Sequence, residues 1–206
     1  MKNLIKTLAF LIAFSTIFSN CSINRFTAKE KSIIKNENKN GIMPVMLVSN
    51  MSDSILLYKK SRKIKLDSTN KYLNILIKRL YATVTDTNNP GVGIAAPQVG
   101  INKRIIWVQR FDKATKPFEV YFNSKIVYYS KSKSYGMEGC LSIPGYIGSV
   151  NRSDTIIIKY DMLNNKNIKD TISGFTSVIF QHEIDHLEGI LYTDRIKDKT
   201  KITKVK

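Results

Sequence analysis

The sequence predicts an α+β domain in which a mostly antiparallel sheet packs around a central helix that carries an H-E-x-x-H sequence. Two segments have apolar residues at helical spacing, and three runs between them are rich in β-branched and aromatic residues. The resulting order of helix, strands and helix is typical of α+β folds. A chain of 206 residues, of which 43% are hydrophobic, is long enough for one domain with a buried core.

The first predicted helix lies in "DSTNKYLNILIKRLYATV", where Asp67 or Ser68 is expected to cap the N-terminus. The glycine-punctuated stretch "TNNPGVGIAAPQVG" follows, and we expect a loop that folds closely over its neighbours. The predicted strands are "RIIWVQ", "EVYFNSKIVYYS" and "DTIIIKYDML". One face of the first helix carries the apolar residues Leu73, Leu76, Ile77, Leu80 and Val84.

The second predicted helix is "GFTSVIFQHEIDHLEG", with Gly189 as its C-terminal stop. Phe175, Val178 and Ile179 fall on the same face of this helix as His182. Two interpretations of these three apolar residues stay open. They line an apolar ligand pocket, or they belong to the ordinary core face of a buried helix.

The chain is strongly basic, with 33 Lys and Arg residues against 16 Asp and Glu residues and a net charge of +17. Such an excess is found in proteins that bind nucleic acids or anionic membranes, and also in proteins for which charge serves only solubility. The lysines are scattered among Asn and Ser without a nucleic-acid-binding signature. We therefore expect no specific nucleic-acid partner, and association with a membrane surface stays open.

Residues 1–21 resemble the leader of a bacterial lipoprotein. Lys2 and Lys6 precede an apolar run from Leu8 to Phe18, and Cys21 follows shortly after it. We expect lipidation of Cys21 and a location in the cell envelope. The alternatives are an uncleaved membrane anchor, or a hydrophobic extension on a cytoplasmic protein. Residues 22–44 are predicted to form a polar tether, residues 45–198 the main domain and residues 199–206 a loose basic tail.

The only two histidines of the chain, His182 and His186, are four residues apart and hence on one face of the predicted helix. With Glu183 they form H-E-x-x-H, a pattern of two imidazole ligands and a general base. A catalytic metal site needs a third protein ligand. Downstream, Tyr192 stands where one version of this motif has its third histidine, and no glutamate follows Glu188 to serve as the ligand of another version. The third ligand must therefore come from upstream.

Cys140, in "EGCLSIPG", is the candidate for the third ligand, because a thiolate binds zinc or ferrous iron well. The alternative is a buried, inert thiol. The chain has two cysteines, so a disulfide framework is absent. A bridge between Cys21 and Cys140 would exclude both lipidation of the first and metal binding by the second.

Three motifs stand in order along the chain: "GVGIAAPQ" (residues 91–98), "EGCLS" (138–142) and "QHEIDH" (181–186). Together they give the chain a resemblance to the peptide deformylase family from about Met46 to Arg195. The resemblance implies a metal-dependent hydrolase that removes the formyl group from N-formylmethionine at the start of new polypeptides. It also implies one divalent ion, usually Fe²⁺ and replaceable by Zn²⁺, Ni²⁺ or Co²⁺, on Cys140, His182 and His186. Glu183 would take a proton from water and later pass it to the leaving amine.

The resemblance also implies roles around the metal. The Gln98 side-chain amide and the Leu141 backbone N–H would stabilise the oxyanion. The remaining substrate-binding residues would be Gly91, Val92, Gly93 and Gly139 near the substrate backbone, and Phe175, Val178 and Ile179 around the methionine side chain.

Two features depart from the family pattern. Ile147 occupies a position where many members have an arginine, so the binding of the substrate backbone is in question. Two interpretations of Arg152 stay open: it pairs with Glu138 and supports the cysteine loop, or it is a solvated surface charge. The leader is the second departure, because formylated nascent chains emerge in the cytoplasm. Three hypotheses follow: an active deformylase, an envelope-located hydrolase of the same fold with another formyl or amide substrate, and a catalytically silent envelope protein that binds peptides or membrane.

Overall fold

A computed structural model describes residues 25–36 and 41–205, and the predicted leader with Cys21 lies outside these residues. The described helices are α1 (Ala28–Lys35), α2 (Met51–Leu57), α3 (Lys71–Val84) and α4 (Gly174–Glu188). The strands are β1 (Gly93–Ala95), β2 (Ile105–Gln109), β3 (Phe118–Tyr129), β4 (Lys133–Cys140), β5 (Ile143–Ser153), β6 (Thr155–Met162), β7 (Asn165–Ser173) and β8 (Ile202–Lys204).

The strands form two sheets whose neighbouring strands are all antiparallel, as the sequence predicts. The larger sheet has the order β1-β2-β3-β6-β7, and the smaller has the order β4-β5-β8. The apolar face of α4 packs on the larger sheet, where Ile179, Phe180, Ile184 and Leu187 share a core with strand residues such as Ile106. A second core surrounds α3, whose Leu73, Leu76, Leu80 and Val84 are fully buried. The α+β class is confirmed.

The helices carry the sequence signals that set their ends. α4 ends at Gly189, as predicted, and this residue adopts the left-handed conformation with φ of 74°. The predicted cap of α3 is wrong, because Asn70 accepts hydrogen bonds from the backbone N–H groups of Tyr72 and Leu73. Asp67 instead accepts from Thr69 in the preceding turn. Asn70 stands directly before the first helical residue, which is where a capping side chain reaches the free N–H groups.

Part of the predicted tether is helical, and for these residues the expectation of a flexible segment is wrong. Thr27 and Glu30 form a capping box at the start of α1. Ile34 is fully buried in the core around α3. The guanidinium of Arg79 donates to the carbonyls of Ile33 and Ile34, which satisfies acceptors at the end of α1. This helix was not predicted from the sequence, because the segment is rich in lysine and only a few of its residues are buried.

Two other segments are more ordered than the sequence suggests. The glycine-rich stretch predicted as a loop contains β1 and a 3-10 turn, Ala96–Val99. The predicted loose tail contains β8, which pairs with β5 in register from Tyr146↔Lys204 to Gly148↔Ile202. Partly buried Ile202 packs against the core that contains Ile196, so burial holds this short strand in place. None of the helices within the described ranges is long and apolar enough to cross a membrane.

Candidate active site

The H-E-x-x-H helix is fixed to the smaller sheet by Gln181. Its Nε2 donates to the carbonyl of Ser153 at 2.8 Å, and its Oε1 accepts from the Ser153 N–H at 3.1 Å. This pair of bonds locks α4 against β5. His182 and His186, one turn apart on α4, have ring centroids separated by 5.0 Å. His182 contacts Glu138 and His186 contacts Cys140, and because both partners lie on β4, both imidazoles face the smaller sheet.

Cys140 brings a thiol to these two imidazoles from the end of β4. The pairing of β4 with β5 is irregular between Gly139 and Cys140, which bends the chain at the cysteine. The Cys140 Sγ lies 3.3 Å from His186 Nε2. One potential ligand atom from each of Cys140, His182 and His186 lies within 4.8 Å of the other two. The three residues singled out from the sequence thus converge on one point that could hold a metal ion.

A buried ionic network supports the two ligand-bearing elements. Glu138 accepts from Arg152 Nε at 2.7 Å and from Arg152 Nη2 at 2.9 Å, and its Oε2 lies 2.8 Å from His182 Nδ1. The predicted pair of Arg152 with Glu138 is confirmed. Burial alone would raise the pKa of Glu138, but hydrogen bonds from Arg152 and His182 lower it to about 2. The bond to Nδ1 sets the orientation of the His182 ring and leaves Nε2 for the metal site.

The network extends to two residues that sequence reasoning missed. Arg152 also donates to Asp185 at 2.5 Å, and Arg195 donates to the same carboxylate through Nε at 3.0 Å. Asp185 is buried although it is charged. Its position within the H-E-x-x-H motif could have identified Asp185 from the sequence, because a carboxylate on a buried helix turn requires a cationic partner.

Glu183 lies beside the metal-ligating atoms in a confined space. Its carboxylate is buried, and its Oε2 has no hydrogen-bond partner within the described part of the chain. Burial raises the pKa of Glu183 to about 7, against the opposing influence of His182 and His186. A carboxylate with such a pKa can both accept and release a proton near neutrality.

Electrostatics favour a thiolate at Cys140. Burial alone would raise the pKa of this thiol, but His186 and His182 hold it well below its usual range. The thiolate is the form of cysteine that binds metals.

Gln98 reaches the site from the 3-10 turn after β1. Its Oε1 accepts from the Ala95 N–H at 2.9 Å, which turns the amide nitrogen toward Cys140. That Nε2 lies 3.5 Å from Cys140 Sγ and 3.3 Å from Ser142 Oγ. Gln98 therefore presents a donor beside the metal-ligating atoms, and Leu141 adjoins the same region as the next residue after Cys140.

An open cavity of about 460 Å³ leads to these groups. One wall comes from α4, and others come from the segment before β1 and from the β4–β5 hairpin. Ile179 lines this cavity and also belongs to the core beneath α4. Every predicted substrate-binding residue lines the cavity: Gly91, Val92, Gly93, Gly139, Phe175, Val178 and Ile179. The cavity is also lined by residues that the sequence did not reveal as candidates, among them Pro144, Gly145, Tyr146 and Val205.

The family model for polypeptide deformylase matches residues 45–202. The peptide deformylase of Desulforudis audaxviator is 42% identical over 121 residues, which cover 58% of this chain and 77% of that protein. The peptide deformylase of Finegoldia magna is 37% identical over 142 residues, which cover 68% of this chain and 83% of that protein.

Solved structures are similar as well. One is a class I type b peptide deformylase from Acinetobacter baumannii crystallised with Met-Ala-Ser bound. It is 34% identical, superimposes with a TM-score of 0.63, and the match covers 75% of this chain and 98% of that one. Sequence and fold thus give the same family relationship over nearly all of the described domain.

Proposed function

The chain belongs to the polypeptide deformylase family, and we propose that Cys140, His182 and His186 hold its one divalent metal ion. It is a metal-dependent hydrolase that removes the N-formyl group from N-formylmethionyl peptides. The observation that carries the metal assignment is the convergence of the three ligand atoms within 4.8 Å beside the buried Glu183.

The donor set fits such an ion. One thiolate and two imidazoles suit Fe²⁺ and Zn²⁺ better than the hard cations Mg²⁺ and Ca²⁺, which take oxygen ligands. Three protein ligands leave a position open for water or substrate, as in catalytic sites. We propose Fe²⁺ as the physiological ion, with Zn²⁺, Ni²⁺ or Co²⁺ able to replace it. When bound, such an ion would act as a Lewis acid that lowers the pKa of water and polarises the formyl carbonyl.

Glu183 is the proposed proton carrier. It accepts a proton from the attacking water, and it delivers that proton to the amine nitrogen as the C–N bond of the formamide breaks. The products are formate and a peptide with a free amino terminus. The pKa of about 7 that burial gives this carboxylate suits both transfers.

Gln98 and Leu141 are the proposed donors to the oxyanion that forms on the formyl oxygen. The bond from Ala95 N–H fixes the Gln98 amide before substrate arrives, so little reorganisation is needed. The Leu141 backbone N–H follows directly after Cys140 and would serve as the second donor.

The methionine side chain of the substrate is proposed to lie against Phe175, Val178 and Ile179. These residues present an apolar wall of the cavity one to two turns before His182 on α4. Gly91, Val92, Gly93 and Gly139 would accompany the peptide backbone, since glycine permits close approach. The Met-Ala-Ser complex of the Acinetobacter baumannii enzyme supports a peptide of this kind as ligand.

Location is a separate proposal. We infer attachment to the cell envelope through lipidated Cys21, on the basis of the leader sequence. The lysine-rich segment after Cys21 is proposed to lie against anionic lipid headgroups. Each lysine near such a surface adds about 1 kcal/mol of attraction.

Mass spectrometry of the mature N-terminus, with cell fractionation, tests the location. A diacylated or triacylated Cys21 in the membrane fraction is the expected result. An intact Met1, or an unmodified Cys21 in a cytosolic fraction, would contradict the envelope location and favour a cytoplasmic one. An envelope location would in turn favour a formyl-peptide or amide substrate other than the nascent chain.

Turnover of formyl-Met-Ala-Ser by anaerobically purified, iron-loaded protein tests the function. Glu183→Ala is the matched variant, and we expect it to keep the metal and to lose about 10² to 10⁴ in kcat. A near-normal kcat in metal-loaded Glu183→Ala would remove this residue from the mechanism. Absence of turnover in metal-loaded wild-type protein would favour the altered-substrate or silent alternatives.

A further inference from the structure

The residue after β8, Val205, forms part of the cavity wall. β8 pairs with the free edge of β5, and beyond it the Val205 N–H donates to the Gly145 carbonyl at 2.9 Å. This bond continues the ladder past Lys204 and places Val205 at the cavity mouth, where it is one of the lining residues.

The position of this segment is set by close packing. β5 has a glycine at 148, and a Cβ there would lie 2.5 Å from Ile196 Cδ1 and 3.3 Å from Tyr192 Cε2. The chain after α4 can therefore lie directly on β5 only because residue 148 has no side chain. The Tyr192 hydroxyl also donates to the Tyr146 carbonyl at 3.1 Å. Two sets of contacts therefore fix the position of β8: its hydrogen bonds with β5, and the packing of the preceding segment on β5.

The surface formed in this way is apolar and accessible. Tyr146 is 42% exposed and Val205 is 38% exposed, and both line the same cavity as the metal-ligating residues. Accessible apolar side chains at the mouth of a ligand cavity favour the binding of apolar groups. This wall belongs to β5 and the residue after β8, whereas the wall proposed for methionine belongs to α4.

We propose that Tyr146 and Val205 form a subsite for an apolar side chain downstream of the formyl-methionine in the substrate peptide. The inference rests on the proposed function, which places the methionine itself against α4. Ile147, adjacent to Tyr146, also lines the cavity and adds an apolar side chain to this side of the site. Selectivity for apolar downstream residues would therefore come from β5 and the residue after β8.

Steady-state kinetics with two peptides test the subsite. Formyl-Met-Leu-Phe has apolar residues downstream of methionine, and formyl-Met-Ala-Ser has small ones. In Val205→Ser we expect kcat/KM for formyl-Met-Leu-Phe to fall about fivefold through KM, because part of one buried side chain is lost. The kcat for both peptides and the KM for formyl-Met-Ala-Ser should stay within twofold of wild type.

Two further variants separate binding from folding. Val205→Thr keeps the shape and strand propensity of valine and should show the same selective rise in KM. Val127→Ser is the matched control, since Val127 is a 45% exposed strand valine that does not line the cavity. Three results would overturn the subsite: equal losses in kcat/KM for both peptides, a fall in kcat, or unchanged kinetics in both Val205 variants.

Calorimetric binding of the deformylated products keeps this test independent of turnover. Metal-loaded wild-type protein should bind Met-Leu-Phe more tightly than Met-Ala-Ser, and Val205→Ser should remove the difference. If wild type hydrolyses neither formyl peptide, the proposed function fails, and a Val205-dependent binding preference would still support the subsite. No preference in binding would reject the subsite whatever the activity.

Discussion

The carboxylate of Glu183 lies directly against the backbone of Gly93, so closely that a Cβ on residue 93 would be 2.5 Å from Glu183 Oε1. Gly93 has no positive φ, and alanine would fit its backbone conformation in β1. Gly93→Ala should therefore act by displacing the carboxylate. We expect kcat to fall on the order of 10², because general acid–base help is lost, while the bound metal stays at one equivalent.

Gly136→Ala is the control for this prediction. Gly136 also lies in a strand, β4, and a Cβ there meets no atom within 4 Å. The control should retain nearly wild-type kcat. Similar activity in both variants would show that the close contact does not position Glu183.

The sequence was most informative where function requires rare residue types. With only two histidines and two cysteines in the chain, His182, His186 and Cys140 were identifiable without coordinates. The contact between Gly93 and Glu183 was not, because it joins residues 90 positions apart through the packing of β1 on α4. Likewise the alternation of polar and small residues in β4 and β5 gave no strand signal, and their pairing with β8 depends on tertiary burial. Short elements such as α1 and β8 are stabilised by their neighbours rather than by local propensity.

Removal of the thiolate should weaken metal binding. In Cys140→Ala the site would retain two imidazoles, which is fewer than the three protein ligands of catalytic sites. We expect metal content measured after dialysis to fall well below one equivalent, with loss of deformylase activity. In wild type, a chelator should abolish activity and added Fe²⁺ or Zn²⁺ should restore it. Undiminished stoichiometry in Cys140→Ala would exclude this residue as a ligand.

Gln98→Leu should lower kcat more than it raises KM. The amide donor serves the oxyanion, which exists only in the transition state, and loss of one such donor costs on the order of 10² to 10³ in rate. Ser142→Ala is the comparison, because it removes the neighbouring hydroxyl that Gln98 Nε2 contacts at 3.3 Å but keeps the amide. That variant should stay close to wild type. An effect of Gln98→Leu on KM alone would contradict the oxyanion role.

A second ionic cluster, distant in sequence from the metal motifs, should govern part of the acid sensitivity. Arg110 is buried and donates to both carboxylate oxygens of Asp112 at 2.6 and 2.8 Å. These hydrogen bonds hold the pKa of Asp112 below its usual value of 3.8. A depressed folded-state pKa adds stability that is present above pH 3.8 and is lost as the pH falls through the lower, folded-state pKa.

Urea unfolding of metal-free protein at pH 7 and pH 3 measures this contribution. Asp112→Asn cannot titrate, so its unfolding free energy should decrease less between the two pH values than that of wild type. The same decrease in both proteins would show that the pair does not contribute to acid sensitivity.

The largest loss of stability is expected for Arg152→Leu. Arg152 is the shared partner of two buried carboxylates, those of Glu138 and Asp185. Removal of one partner from a buried ionic network costs about 3–5 kcal/mol, because the remaining charges stay buried without compensation. Glu138 would also lose the two bonds that hold it against His182 Nδ1, and disturbed support of a ligating histidine lowers metal affinity by about 10- to 100-fold.

Arg195→Leu separates this effect from a general loss of charge. Arg195 binds the same Asp185, but its side chain is 43% exposed and Asp185 keeps Arg152 as a partner. This variant should lose only about 1 kcal/mol and bind metal normally. Urea unfolding of the metal-free proteins gives the first comparison, and competition with a chelator of known affinity gives the second. Arg152→Leu and Arg195→Leu of equal stability and equal metal affinity would mean that the Glu138–Arg152 pair does not support the metal site.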